Sequence, residues 1–248
     1  MEDLFVKEIT INGKIPGKDY INDLPVIKWL KHNPLTFSKA VTFIVGENGT
    51  GKSTLIEGIA VALGFNPEGG SKNFNFSTQK SHSDLHEFLR IRKGHKLPRD
   101  GYFLRAESFY NVATDIDRLD KIIASQPPVI ASYGGISLHE QSHGESFIAL
   151  TEKRFGGNGI YILDEPEAAL SPMRMMRLMC NINNLVKNGS QFIISTHSPI
   201  LMTFPNADVL EITQKGIKSV PFAETEHFQI TKRFLNNPEQ MHKYLFDD

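Results

Sequence analysis

Hydrophobic residues in this chain fall in short runs that end at polar or glycine-rich clusters. Val41-Thr42-Phe43-Ile44-Val45 is one such run, mostly apolar and β-branched, and it stops at Gly46. Ile160-Tyr161-Ile162-Leu163 stops at Asp164 and Glu165, and Gln191-Phe192-Ile193-Ile194 stops at Ser195-Thr196-His197. Runs of this length without a polar alternate predict strands buried on both faces, as in a parallel sheet. Tyr102-Phe103-Leu104-Arg105-Ala106 reads as a further strand. Helical segments are expected between them: Leu55–Leu63, a stretch opening near Ser142 and continuing through Phe147–Leu150, and a Met-rich helix from Pro172 to Val186. Ser142 with Glu145 three residues on predicts a capping box at the start of the second. Cys180 is expected on the apolar face of the third. The stretch before Val45 reads as β-rich, and Asp84–Lys93 as helix-like. Near the C-terminus, strands are expected at Val209–Ile212 and Lys218–Phe222, then helices from Glu226 to Leu235 and from Asn237-Pro238 onward. The fold class is α/β, with a mostly parallel central sheet flanked by helices and an antiparallel β portion at the N-terminal end.

The polar ends of the runs carry the chemistry. Gly46-Glu47-Asn48-Gly49-Thr50-Gly51-Lys52-Ser53, followed by Thr54, matches the phosphate-binding pattern G-x-x-x-x-G-K-[ST] without mismatch. A strand before it and a helix after it aim backbone N–H groups and a helix N-terminus at phosphate oxygens. Lys52 would reach the β- and γ-phosphates, and the Ser53 hydroxyl would ligate Mg²⁺. Asp164 suits the Mg²⁺ shell at the end of a second strand. Glu165, one residue on, is placed to orient an attacking water or accept its proton. His197 ends a third strand and is expected at the same sheet edge, near the γ-phosphate.

Together these pieces resemble the ATP-binding-cassette superfamily of ATPases, and its SMC/RecF-like branch more than the transporter branch. The order is the family's: Walker A at Gly46–Thr54, signature at Gln141–Glu145, Walker B at Ile160–Glu165, D-loop at Ala168–Ser171, H-loop at His197. Ser195-Thr196-His197-Ser198-Pro199 and the run Asp164-Glu165-Pro166-Glu167 look like the non-transporter pattern. The overall look is that of small stand-alone bacterial ATPases grouped as AAA family. Two departures stand in the signature, where Gln141 replaces a Leu and His143 the first Gly; Ser142, Gly144 and Glu145 remain. The D-loop Asp of the family is Ser171 here.

The resemblance implies a P-loop NTPase fold in a single domain over residues 1–248, with a helical lobe inserted at about 66–140. It implies ATP and Mg²⁺ as cofactors, with Gly46, Asn48, Gly49, Thr50, Gly51, Lys52, Ser53 and Thr54 around the nucleotide and Ser53 and Asp164 on the metal. Lys52, Glu165 and His197 would carry catalysis. Ser142 and Gly144 would bind the γ-phosphate held by a second copy, in an ATP-dependent head-to-tail homodimer. Gln79 and Glu107 are both candidates for the Q-loop position, and Tyr20 or Trp29 for adenine stacking.

Composition narrows the surroundings. The formal net charge of −1 excludes a global nucleic-acid-binding field. A local basic cluster remains from Lys72 to Arg105, read as a solvated face or as a contact for DNA or an acidic partner. One cysteine in 248 residues permits no internal disulfide and fits a reducing cytoplasm. The chain opens on acidic Met1-Glu2-Asp3 with no apolar run behind it, and nothing in it approaches a membrane span. Lys52 and Ser142 are too close, and the stretch between them too free of heptads, for the long coiled coil of SMC-type proteins. No acidic cluster after His197 resembles the metal site of the overcoming-lysogenization-defect nucleases. A small-molecule kinase is the weakest reading, because Glu165 and His197 suit attack by water. The sequence therefore points to an ATPase switch acting on DNA or a DNA-bound complex, with the energising subunit of a transport or phage-defence system as the alternative.

Overall fold

The apolar runs become the inner strands of one sheet. The structure is a computed structural model, and it describes residues 3–17, 19–72, 83–107, 114, 130–131, 135 and 142–246, without the side chain of residue 143. Among these, strands form at Val6–Ile11 (β1), Leu35–Thr36 (β2), Val41–Gly46 (β3), Leu89–Lys93 (β4), Asp100–Arg105 (β5), Gly159–Asp164 (β6), Gln191–Ser195 (β7), Asp208–Thr213 (β8) and Gly216–Ser219 (β9). Helices are Pro25–Leu30 (α1), Lys52–Ala62 (α2), Leu85–Phe88 (α3), His143–Lys153 (α4), Pro172–Lys187 (α5), Pro199–Met202 (α6), Glu226–Asn236 (α7) and Pro238–Phe246 (α8).

The main sheet has the order β5-β6-β7-β3-β8-β9, parallel except for the last pair. A separate antiparallel sheet has the order β2-β1-β4. Every residue of β3, β6 and β7 is buried. Side chains alternate between two cores, as the two-residue period of a strand requires. Phe43, Tyr161, Leu163, Phe192 and Ile194 face α4 and α5, meeting Phe147, Leu150, Leu178 and Ile182. Ile44, Ile160, Ile162 and Ile193 face α2, meeting Leu55, Ile56 and Ile59. With both faces covered, these strands have no solvent side on which polar residues could sit.

Three expectations change. Only Leu85–Phe88 of the segment read as a helix is helical; Leu89–Lys93 pairs with β1, Arg92 opposite Glu8 and Ile91 opposite Ile9. The alternation Leu89, Arg90, Ile91, Arg92 is a strand pattern once β1 offers a ladder, and the Arg92 guanidinium meets Glu8 at 3.1 Å. Cys180 is exposed and not in the core. The buried stripe of α5 runs through Met175, Leu178 and Ile182. At 100° per residue, position 180 points well away from that stripe. The stretch before Val45 holds α1 besides its strands, and Pro25 at its first position suits a helix start. Of the segment 66–140, residues 83–107 give α3, β4 and β5, and most of the remainder lies outside the described residues. No helix among the described residues is long and apolar enough to cross a membrane.

Candidate active site

Parallel register lines up the strand ends. Arg105 pairs with Asp164, Asp164 with Ser195, and Ser195 with Ile44, two residues before the glycine loop. The C-terminal edge of the sheet is thus one row of side chains facing the N-terminus of α2.

The loop between β3 and α2 needs its glycines. Gly46 has φ 145°, and a Cβ there would lie 2.4 Å from the Ile212 carbonyl oxygen of β8. Gly51 has φ 95°, and a Cβ would meet Val26 Cγ1 at 2.6 Å. Asn48 and Gly49 are exposed at the crown of the loop, and Thr50 is buried with its hydroxyl donating to the Glu47 carbonyl at 2.8 Å. Lys52 is 4% exposed, and its ammonium donates to the carbonyls of Gly46 at 2.7 Å and Glu47 at 2.9 Å. Burial pulls that ammonium below the ordinary lysine value, while Glu165, Asp164 and Glu167 oppose the shift. Ser53 and Thr54 follow in the first turn of α2, half-buried.

Asp164 is enclosed on three sides. The Ser195 hydroxyl donates to Oδ1 at 2.5 Å, the Ser53 hydroxyl borders the same cavity and helps to hold the carboxyl value down, and Arg105 Nε stands 3.6 Å from Oδ2. Burial still pushes its carboxyl above the ordinary aspartate value. Arg105 continues to Glu57 of α2 at 2.8 Å, a carboxylate that also accepts from the Ser83 N–H at 3.0 Å. Glu165 sits at φ 50°, ψ 53°, a left-handed conformation that costs a residue with a Cβ about 1 kcal/mol or more. Its N–H donates to the Ser195 carbonyl at 3.2 Å, which holds the turn, and its carboxylate is left 38% exposed. Its Oε1 is 3.4 Å from His197 Nε2. The His197 N–H donates to Glu167 Oε1, and burial raises the Glu167 carboxyl. Burial first, then Lys52 and His227, push the His197 imidazole down to about 4, so it is neutral at pH 7.

A cavity of about 150 Å³ is lined by Ser53, Arg105, Glu107, Asp164 and Glu165. Glu107, one of the two Q-loop candidates, therefore borders the same space as the two candidate metal ligands. Gln79, the other, lies outside the described residues, as does Gln141. A larger cavity of about 510 Å³ opens on the other side of the loop, between Gly46, Thr50, Glu211, Thr213, Lys215 and His227. Of the aromatic candidates for adenine stacking, Tyr20 is 63% exposed, and Trp29 is packed beneath Gly216, where a Cβ would lie 2.2 Å from its ring.

The segment at Ser142 forms the expected capping box. The Glu145 carboxylate accepts from the Ser142 N–H at 3.1 Å and from its hydroxyl at 2.5 Å. Gly144 is pressed against the turn after Glu165, where a Cβ would meet the Ala169 carbonyl at 2.8 Å and Arg174 Nη1 at 2.6 Å. Sequence reasoning missed Arg105, Glu57, Ser195, Glu167 and His227. Arg105 and Ser195 were findable as polar strand ends in parallel register. Glu57 and His227 had no local signal, since one lies in the body of a helix and the other far along the chain.

Chemically, the edge offers a backbone nest with a buried cation, two hard oxygen donors lining one cavity, an exposed carboxylate one residue on, and a neutral imidazole beside it. Comparison with known proteins agrees in kind. A model described as "AAA domain" matches residues 27–118, and one described as "AAA domain, putative AbiEii toxin, Type IV TA system" matches residues 138–203. An "Uncharacterized ABC transporter ATP-binding protein" of Haemophilus influenzae is 23% identical over 223 residues, covering 82% of this chain and 81% of that one. The "Cytochrome c biogenesis ATP-binding export protein CcmA" of Vibrio vulnificus is 28% identical over 167 residues, covering 65% and 80%. Among solved structures, cbiO1 from Clostridium perfringens, part of an ABC transporter complex, aligns with a TM-score of 0.53 at 18% identity over 97% of this chain and 98% of its own. The cassette MJ1267 gives 0.51 at 15% identity over 97% and 99%, a likeness of fold. A phosphate loop on this sheet order, two matching AAA models and relatives named for binding ATP together support an ABC-type P-loop ATPase, with ATP binding and hydrolysis as its activity.

Proposed function

We propose that the chain is an ATP-driven switch whose site is completed by a second copy of itself. The observation that carries this is the meeting of Lys52, Ser53, Asp164, Glu165 and His197 at one sheet edge. The loop residues Gly46, Asn48, Gly49, Thr50, Gly51 and Thr54 wrap the phosphates with N–H groups, and Lys52 exchanges its carbonyl partners for phosphate oxygens. Ser53 and Asp164 are hard oxygen donors lining one cavity, a set that fits Mg²⁺. Mg²⁺, when bound, neutralises charge on the phosphate oxygens. Glu165 orients water and takes its proton, and the His197 Nε2 side faces the γ-phosphate. Ser142 and Gly144 of the second copy supply donors from the far side. ATP then bridges two copies, and hydrolysis removes the bridge.

The target of the switch is read as DNA or a DNA-bound complex. Support comes from the exposed bases of β4 and the turn after it: Arg90, Lys93 and Arg99 stand out, while Arg92 and Lys96 are held by Glu8 and Asp3. The second reading, an energising subunit for another protein, is supported by the names of the export and transport relatives. Turnover measured against protein concentration, with and without double-stranded DNA at fixed salt, tests both. Rates that rise with concentration and again with DNA support the first; rates indifferent to DNA favour the second. Rates independent of concentration oppose the composite site.

A further inference from the structure

His227 is the second residue of α7, thirty positions beyond His197 in sequence, yet its Nε2 lies 2.9 Å from His197 Nδ1. The rings are 4.9 Å apart and inclined at 57°. A neutral imidazole has one N–H and one bare nitrogen. Two imidazoles joined nitrogen to nitrogen must therefore divide the roles, and the outer partners decide how. The free nitrogen of His197, Nε2, faces the Glu165 carboxylate at 3.4 Å. If His197 donated from Nδ1, Nε2 would present a lone pair to a carboxylate, which is repulsive. If His227 donates from Nε2, His197 accepts at Nδ1 and carries its proton on Nε2. That proton then points at Glu165 and the phosphate edge.

The second arrangement also fits the surroundings of His227. Its Nδ1 is buried and has no hydrogen-bond partner among the described residues, which an unprotonated nitrogen tolerates better than a buried N–H. The backbone that carries the ring is anchored at the start of α7. Thr225, the residue before α7, is fully buried and bonded to the Phe222 carbonyl at 2.7 Å; the Glu226 N–H donates to Glu211 Oε1 of β8 at 3.2 Å.

We propose that His227 is a positioning residue that fixes His197 in the tautomer with its proton on Nε2, the one able to donate to the transferred phosphate. This rests on the reading that His197 acts at the γ-phosphate. It also ties the C-terminal helices to the ATP site, because α7 cannot shift without releasing His197.

The test compares His227→Gln, His227→Asn and His227→Ala with His197→Ala in steady-state ATP turnover. A glutamine places an amide N–H near the position of imidazole Nε2; an asparagine is too short. The expected result is a kcat loss of about tenfold or more for Ala and Asn with KM for ATP little changed, and recovery by Gln to within about threefold of the parent, as for a wrongly held imidazole tautomer. Imidazole ¹⁵N shifts of His197 should report a protonated Nε2 in the parent and Gln forms, and mixed tautomers in the Asn form. A His227→Asn protein that turns over like the parent overturns the proposal, as does a Gln form no faster than the Asn form. If His197→Ala itself turns over like the parent, the reading of His197 fails instead.

Discussion

Arg105 holds two buried carboxylates at once, so Arg105→Met should expose the cost of the arrangement. Its guanidinium is 2.8 Å from Glu57 and 3.6 Å from Asp164, and the three side chains are 23%, 7% and 6% exposed. At an effective dielectric constant near 20, those separations correspond to gross attractions of about 6 and about 5 kcal/mol. Desolvation offsets most of this. Removing one member of a buried ion pair costs about 3–5 kcal/mol, chiefly because a charge is stranded. Methionine keeps the stem's packing volume but offers no donor. The stranded carboxylate can take up a proton instead of staying charged, which limits the loss. The expected loss is therefore about 3 kcal/mol at pH 7.

The pH dependence distinguishes this from simple loss of packing. Burial already holds the Asp164 carboxyl above the ordinary aspartate value and Arg105 opposes that rise, so without Arg105 the folded value lies further above the unfolded one. Stability is then greatest below the unfolded value and falls as pH rises toward 7. The variant's deficit should thus shrink by roughly 1.4 kcal/mol for each pH unit lowered from 7, until about pH 5. Urea unfolding of the parent, Arg105→Met and Arg105→Met/Glu57→Gln at about pH 7 and about pH 5.5 measures it. The double variant should recover about 1–2 kcal/mol at pH 7, since a neutral amide needs no cation. A deficit below about 1 kcal/mol at pH 7, or one equal at both pH values, would refute the reasoning.

Three further outcomes are expected. Lys52→Ala should reduce ATP turnover to background, because it removes the buried ammonium among the loop carbonyls; a coupled phosphate-release assay showing parental rates would sink the site assignment. Glu165→Gln should slow hydrolysis by about a hundredfold or more and leave an ATP-bridged dimer visible by light scattering, whereas a monomer in ATP and Mg²⁺ would count against the composite site. In the nucleotide-free protein the His197 imidazole should titrate near 4, as burial, Lys52 and His227 dictate. Because that value lies below the unfolded one, the unfolded chain binds the extra proton first, and His197 withdraws stability as pH falls from about 6.5 toward 4. An NMR midpoint at or above the ordinary histidine value would contradict this.

The parallel sheet and the phosphate loop were legible because their signals are local. A buried strand must be apolar at every position, and a loop that wraps phosphate needs glycine where φ is positive, as at Gly46, Gly49 and Gly51. Asp84–Lys93 was misread because Leu85–Phe88 does form a helix and the strand after it exists only through pairing with β1, some eighty positions earlier. Cys180 was misjudged by composition: in α5 four methionines differ in burial, Met175 buried, Met179 partly buried, and Met173 and Met176 exposed, so apolar character alone did not mark the inner face. His227 could not be read at all, since its partner is a side chain on another element.

What converts scattered motifs into a site is the register of the sheet. Arg105, Asp164 and Ser195 come from three strands, and each is placed by pairing with its neighbour before any side chain interacts. Successive strand residues face opposite cores, so a slip of one position in β6 would exchange Ile162 for Leu163 across the sheet and force every apolar contact on both faces to change. The two cores therefore lock the register far more firmly than the polar contacts at the edge could. That division frees the edge to hold costly features. Asp164 stays buried against its own desolvation, Glu165 stays in a left-handed turn, and Lys52 stays desolvated among carbonyls. None of these favours folding, and each places a group where a bound triphosphate would need it.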